Sequence, residues 1–309
     1  MMWPARILVT GGGGFVGSHL LPRLAAAFPH AEIAAPRIAA LDVTDPGSVD
    51  AAMAGIRPDA CVHLAAIAAI PAARRDPALA WRVNLHGALA VAEAILRHVP
   101  DCALIYPGSA DAYGRSFRAG IAVDERMPQS PLNTYGATKA AAEMALVALV
   151  AEGLRVIALR PFNHTGPGQT GDFVVPAFAR QVAAIAAGLQ PPVMRVGALE
   201  PRRDFLDVRD VCDAYAAAIA RAPDIAPGSI FNIASGTARR IGDILDALLA
   251  LAGIRATVET STSLLRPTDI ACALGDAGAA RAALAWSPRI AWEITLRDVL
   301  EDWRVRVAA

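Results

Sequence analysis

Surplus charge of either sign, paired cysteines and a membrane-length apolar run are all missing from this 309-residue sequence. Lys and Arg together number 29 and so do Asp and Glu. A balanced chain lacks the basic surplus that nucleic acid or an anionic membrane would require, although a local basic pocket stays compatible with it. The four cysteines, Cys61, Cys102, Cys212 and Cys272, lie far apart with no C-x-x-C pair. They read as buried thiols of a reducing cytosol, with neither a metal cluster nor a disulfide framework in view. MMWPARILVT passes straight into a strand without the apolar core and small-residue cleavage site of a leader. The longest apolar helical stretch, 137–150, is broken by Lys139 and Glu143 and is too short to span a bilayer. The expectation is a soluble cytoplasmic protein of one or two closely connected domains, with no bound metal.

What the sequence does contain is a rhythm. Short β-branched runs (RILVT, AEIAA, DACVHLAA, CALIYPG, RVIALRP) alternate with Ala-rich segments at helical spacing (SHLLPRLAAAF, NLHGALAVAEAILRHV, TYGATKAAAEMALVALVAEG). Continuously apolar strands separated by helices imply a parallel sheet covered on both faces, an α/β doubly wound (Rossmann) architecture. After Gly166 the rhythm changes to VVPAFARQVAAIAAG, PPVMRVG, RDFLDVRDVCDAYAAAIAR and IFNIASG, and the chain closes on the helix EITLRDVLEDWRVRV. The expected organisation is a dinucleotide-binding domain over 1–165, to which 198–238 partly returns, and a smaller interleaved lobe from 166–197 and 239–309.

Gly11, Gly14 and Gly17 in TGGGGFVG sit between the first strand and the first helix. Glycines there permit a tight turn and close approach of the backbone to a pyrophosphate facing the helix N-terminus. A sharp strand-to-helix corner is the bland alternative; the placement favours the dinucleotide. No carboxylate ends the second strand, where an acid would meet the adenosine ribose, and Arg37 follows it. Arg37 is either a partner for a 2′-phosphate, which favours NADP(H) with NAD(H) possible, or a solvated loop charge. Asp42 and the His63–Ala66 stretch fall where contacts to adenine and the cofactor backbone are usual. The cofactor-binding set is Gly11, Gly14, Phe15, Val16, Gly17, Arg37, Asp42, Val43, Leu64, Ala65, Ala66, Asn84, Tyr135, Lys139 and Pro161.

Tyr135 and Lys139 stand at i and i+4 on one helical face. A phenol that exchanges a proton near neutral pH needs its anion stabilised, and a lysine ammonium one turn away can do this. Ser109 ends the run CALIYPG at the carboxyl edge of the sheet, where ligands bind in such folds. The trio supplies a proton donor, its electrostatic support and a hydroxyl for the reacting oxygen, and Asp111 follows two residues after the serine. Within RPFNHTGPGQ, the prolines and glycines predict a loop that cannot continue the strand before it. Arg160 is either a structural strand-end charge or a ligand contact. Helix capping accounts for Asp207 and Asp210, and core packing for Trp286, Trp292 and Trp303.

GGGGFVG, GSADAYG, YGATK and RPFNHTGPGQ, with FNIASG and LRPTD further on, resemble the extended short-chain dehydrogenase/reductases acting on nucleotide sugars. The similarity is strongest to the branch of GDP-mannose 4,6-dehydratases and GDP-4-keto-6-deoxy-mannose reductases, and covers almost the whole chain. It implies that RPFNHTGPGQ leaves the sheet beside the nicotinamide, with Asn163 on the substrate pyrophosphate. It also implies that Arg203 pairs with substrate phosphate, that Arg266 and Asp269 contact phosphate and ribose, and that Val174 belongs to the same substrate cleft. Dehydratases of the group carry a glutamate two residues after the serine or threonine. Asp111 there is a methylene shorter, which disfavours elimination, and Ala110 lacks the acid found in dTDP-glucose dehydratases.

The resemblance therefore implies NADPH-dependent reduction of the 4-ketone of GDP-4-keto-6-deoxy-D-mannose to GDP-D-rhamnose or its 4-epimer, GDP-6-deoxy-talose. A dehydratase, an epimerase and a non-catalytic dinucleotide sensor are the alternatives. The apolar faces of 83–99 and 135–150 suggest a homodimer, against which a self-contained core is the alternative.

Overall fold

The computed structural model describes residues 3–264 and 270–308. Its strands are β1 (Arg6–Thr10), β2 (Glu32–Ala34), β3 (Ala60–His63), β4 (Ala103–Pro107), β5 (Arg155–Pro161) and β6 (Asn163–Thr165). They continue with β7 (Val193–Val196), β8 (Arg202–Asp207), β9 (Ser229–Ile233), β10 (Ala238–Arg240), β11 (Thr257–Thr260) and β12 (Cys272–Ala273). Six of them form a parallel sheet in the order β2-β1-β3-β4-β5-β9. Ile7, Leu8 and Val9 on β1 are all 0% exposed, so successive side chains are buried on opposite faces. At roughly 1.5–3 kcal/mol for each fully buried aliphatic side chain, that strand can sit only in the middle of a covered sheet.

One face is covered by helices Phe15–Ala27 and Val208–Arg221, the other by Pro46–Ile56, Gly87–His98 and Thr134–Ala148. Helix Pro46–Ile56 is an addition to the sequence-predicted elements. Its start has a physical signature, since the Asp45 carboxylate accepts the Gly47 N–H at 3.0 Å and Pro46 opens the first turn. The predicted helix over NLHGALAVAEAILRHV begins with a π-helical turn, Arg82–His86, which buries Asn84.

A third core gathers Val175, Phe178, Val182, Met194, Phe205, Ile241, Leu245, Leu296 and Trp303. Over it β10, β8 and β12 form a sheet that β6 extends beside β8, while β7 and β11 pair in parallel. The stretch 198–238 thus divides: β8 lies in the smaller sheet, and the helix Val208–Arg221 and β9 return to the central one.

The expectation of a loop from Arg160 onward needs correction. β5 continues through Arg160 and Pro161, which pair with Asn232 and Ile233. Pro161 lacks a donor, and Phe162 resumes with its N–H on the Ile233 carbonyl at 2.9 Å. Asn163–Thr165 then forms β6 against Phe205–Asp207. Proline is tolerated here because it is the last residue of its strand, and the chain crosses from one sheet to the other within the motif. Cys272 is half-buried, unlike the other three thiols, because β12 is a short edge strand.

Candidate active site

β1 and β3 are neighbours whose connections leave in opposite directions, so their carboxyl ends frame the topological switch point of the sheet. Gly11 follows β1 with φ +68°, and a Cβ on it would lie 2.6 Å from the Ala65 nitrogen. A Cβ on Gly17 would lie 2.2 Å from the Gly12 carbonyl oxygen. The turn can therefore close only without side chains. The helix Phe15–Ala27 that follows has no side-chain N-cap and no acid in its first turn. Its first amides are left without intrahelical acceptors and its dipole is uncompensated, which suits a diphosphate. These residues fit a dinucleotide.

Thr10 ties the two strands together. Its hydroxyl accepts the Ala65 N–H at 3.3 Å and lies 2.9 Å from His63 Nδ1. The ring's other nitrogen, Nε2, faces the protein interior. That buried Nε2 has no partner among the described residues. Burial, with Lys139 second, pulls the His63 pKa down to about 3, so the ring is neutral at ordinary pH.

The other cofactor candidates divide. Leu64, Ala65 and Ala66 line the exit of β3, and Phe15, Val16 and Gly14 begin the helix at the switch point. Arg37 is exposed three residues past β2. Asp42 Oδ1 accepts from the Thr44 amide and hydroxyl, and Val43 is buried against Gly87. Asn84 is committed to the protein: its Oδ1 accepts the Ile67 N–H at 2.7 Å, and its Nδ2 donates to the Ile67 carbonyl and the Thr138 hydroxyl. It joins the loop after β3 to the helix bearing Tyr135.

Ser109 follows β4 and accepts the Asp111 N–H on its Oγ at 3.1 Å, capping a short helical turn. Asn133 caps the helix Thr134–Ala148, and the next turn carries Tyr135 and Lys139 inward. Gly136 lets this helix touch the serine turn, since a Cβ on it would lie 2.6 Å from the Asp111 carbonyl oxygen. The Ser109 side chain stands beside the Tyr135 phenol. Burial first, then the Asp111 carboxylate, push the phenol above its ordinary pKa, and the Ser109 hydroxyl offsets part of this. The expected acidification by Lys139 is not among these influences. The Lys139 ammonium instead donates to the Pro107 carbonyl at 2.7 Å, 5.0 Å above the Tyr106 ring.

Arg160 is the structural strand-end charge. Its guanidinium is buried with Glu143, at 2.5 Å and 2.9 Å, and donates to the Tyr113 hydroxyl at 2.7 Å. Asp207 caps its helix through the Arg209 N–H as expected. Asp210 differs: its carboxylate accepts the Arg289 and Ile290 amides, tying down the loop that leads into the helix Trp292–Ala308. Trp286 and Trp303 are buried, and half-buried Trp292 packs between Phe205 and the Arg239 guanidinium.

Beside Asp111 opens a cleft of about 390 Å³ whose lining includes Asn163, Val174 and Arg203. The sequence-predicted substrate residues that fall among the described residues thus meet in one place, while Arg266 and Asp269 lie outside the described residues. Arg203 also donates to the Arg202 and Ile270 carbonyls. Two lining arginines, Arg180 and Arg195, were missed by sequence reasoning. The signal was available: each interrupts an otherwise apolar run, VVPAFARQVAAI and PPVMRVG. A second missed signal is compositional. Lys139 is the only lysine in the sequence, and every other basic side chain counted among the 29 is an arginine.

A model of the NAD dependent epimerase/dehydratase family matches residues 7–234. The chain is 34% identical over 304 residues to a GDP-6-deoxy-D-mannose reductase of Pseudomonas aeruginosa, covering 98% of each. It is 28% identical over 277 residues to a GDP-6-deoxy-D-talose 4-dehydrogenase of Aggregatibacter actinomycetemcomitans, covering 88% of each. Among solved structures, RMD from Pseudomonas aeruginosa complexed with NADPH superposes with a TM-score of 0.88 at 34% identity, over 98% of this chain and 99% of that one. A UDP-glucose 4-epimerase of Thermus thermophilus in complex with NAD gives 0.82 at 28% identity, over 97% and 99%.

Proposed function

This chain belongs to the NAD dependent epimerase/dehydratase family, and on that footing we propose that it reduces the 4-ketone of GDP-4-keto-6-deoxy-D-mannose with NADPH. The product is a GDP-6-deoxyhexose, GDP-D-rhamnose being the configuration we favour. The observation that carries the reading is the Ser109 hydroxyl set beside the Tyr135 phenol, next to a cleft that Asp111 and three arginines line. Similarity to a GDP-6-deoxy-D-mannose reductase along nearly the whole chain supports the substrate class.

NADPH, when bound, supplies the hydride. Gly11, Gly14 and the first turn of the helix Phe15–Ala27 would hold its diphosphate, and Arg37 a 2′-phosphate. Ser109 Oγ, held by the Asp111 amide, donates to the substrate carbonyl and fixes its direction. Tyr135 begins protonated, because burial and Asp111 raise its pKa. Its proton leaves only when the ketone oxygen becomes an alkoxide, a base strong enough to take it. Solvent then returns a proton to the phenolate, and the Lys139 ammonium, on the Pro107 carbonyl, adds a positive charge one helical turn away. Arg180, Arg195 and Arg203 suit the substrate diphosphate, since a planar fork of donors matches phosphate oxygens.

Asp111 stands where the dehydratases of the resembling branch carry glutamate. An ångström of shortfall in a catalytic group costs about a hundredfold, which sets elimination behind reduction. The protein incubated with the keto sugar and NADPH should consume cofactor stoichiometrically. Inactivity there, with water elimination from GDP-mannose and retained NADP, would make it a dehydratase; turnover without net NADPH consumption would make it an epimerase. We further propose a homodimer through the helices Gly87–His98 and Thr134–Ala148, where Met144 is 62% exposed; light scattering distinguishes it from a monomer.

A further inference from the structure

Tyr135, Lys139 and Glu143 follow one another at intervals of four residues along a single face of the helix Thr134–Ala148. Lys139 and Glu143 are both nearly inaccessible, at 4% and 3% exposure. A buried ammonium is unstable relative to the neutral amine unless an anion stands near it. The groups facing Lys139 supply few candidates. Tyr106 beneath it is a neutral phenol whose hydroxyl donates to the Lys139 carbonyl. His63 is neutral, Tyr135 is protonated, and Asp111 acts on Tyr135 at the other end of the helix face.

Among the described residues Glu143 is the remaining anion, and several contacts fix its place. Lys139 Nζ sits on the Pro107 carbonyl, and a Cβ on the next residue, Gly108, would lie 3.0 Å from Glu143 Oε2. Glycine at 108 thus lets the carboxylate approach the same dipeptide that receives the ammonium. On its far side the carboxylate is clamped by Arg160 from β5 and by the Gln129 amide at 2.6 Å. Arg160 is held in turn by Tyr113, whose hydroxyl donates to Asn232 at 2.7 Å.

We propose that Glu143 is the counter-charge that keeps the buried Lys139 side chain an ammonium, with Arg160 fixing the carboxylate in place. Glu143 is a positioning residue, acting through Lys139. Burial pulls the Lys139 pKa down to about 8 and Glu143 opposes that pull. The use of an ammonium at this point rests on the reductase reading above; the charge state does not, and it can be measured without substrate or cofactor.

Lys139 being the only lysine, protein labelled with 13C-lysine gives one side-chain signal, and its pH titration reports this residue alone. The wild-type midpoint should fall near 8. Glu143→Gln should lower it by at least about one unit, a tenfold loss of proton affinity. Tyr113→Phe, which loosens the clamp but removes no charge, should leave it in place. A Glu143→Gln protein that keeps its circular dichroism and its midpoint overturns the proposal. Should that variant not fold, the wild-type midpoint decides: about 7 or above supports a counter-charge, and a lower value, as for a lysine buried without compensation, overturns it. The reductase reading is tested separately by NADPH oxidation, so failure of one leaves the other standing.

Discussion

The hydroxyl of Ser109 stands beside the phenol of Tyr135, where the end of β4 meets the first turn of the helix Thr134–Ala148. Two elements far apart in sequence are brought into register by Gly136, whose missing side chain lets that turn lie on the Asp111 backbone. Tyr135→Phe removes only the proton donor. Turnover should fall by about 10²–10⁴-fold, the usual range for a general acid, while NADPH affinity measured by fluorescence titration stays near that of wild type. Loss of binding instead would make Tyr135 structural.

Arg195 projects from β7 into the cleft, with its backbone pinned on both sides by Gln181 at 2.8 Å and 3.1 Å. A fixed backbone carrying an exposed guanidinium suits a diphosphate. Arg195→Ala should raise KM for the nucleotide sugar by about tenfold, one charge-assisted hydrogen bond of about 1.5 kcal/mol, with kcat and NADPH affinity little changed. A fall in kcat at constant KM would place Arg195 elsewhere in the cycle.

The fold was readable because its signals are local. RILVT and CALIYPG are apolar on both faces, and such runs fit only a covered parallel sheet. Tyr135, Lys139, Ser109 and the glycine turn were legible for the same reason, as each is a short spacing at a predicted element boundary. What depended on distant packing was not. The passage of Asn163–Thr165 into a second sheet needs Phe205–Asp207 beside it. Asn84 looked like a cofactor ligand until Ile67 and Thr138 took up its amide. The raised pKa of Tyr135 comes from burial and from Asp111, neither visible in Y-x-x-x-K.

Arg37 is exposed just beyond β2, and no carboxylate ends that strand. If it receives the 2′-phosphate, Arg37→Ala should reduce the preference for NADPH over NADH by about tenfold or more, one charge-assisted contact. Dissociation constants for both cofactors check this, and equal weakening of the two would assign the preference to another group.

His63 is 1% exposed and its pKa is pulled down to about 3, chiefly by burial. The unfolded chain, with histidine near 6.5, binds the extra proton between these values while the folded protein does not. Stability should therefore fall as pH drops from about 6.5 towards 3, by up to about 1.4 kcal/mol per pH unit from this group. Urea unfolding at about pH 7 and about pH 5 measures the loss. His63→Asn should be less sensitive over this interval by about 2 kcal/mol, and equal sensitivity would show that other groups govern the acid limb.

Delivery of hydride to carbon 4 of the sugar is the step on which the account turns, and isotope transfer reads it directly. The protein is incubated with GDP-4-keto-6-deoxy-D-mannose and NADPH carrying deuterium at the transferable position, and the product is examined by NMR. The account predicts one deuterium at carbon 4, in a single configuration, transferred about 10²–10⁴-fold more slowly by Tyr135→Phe. Cofactor deuterium elsewhere in the sugar, or a product formed without it, would contradict the account.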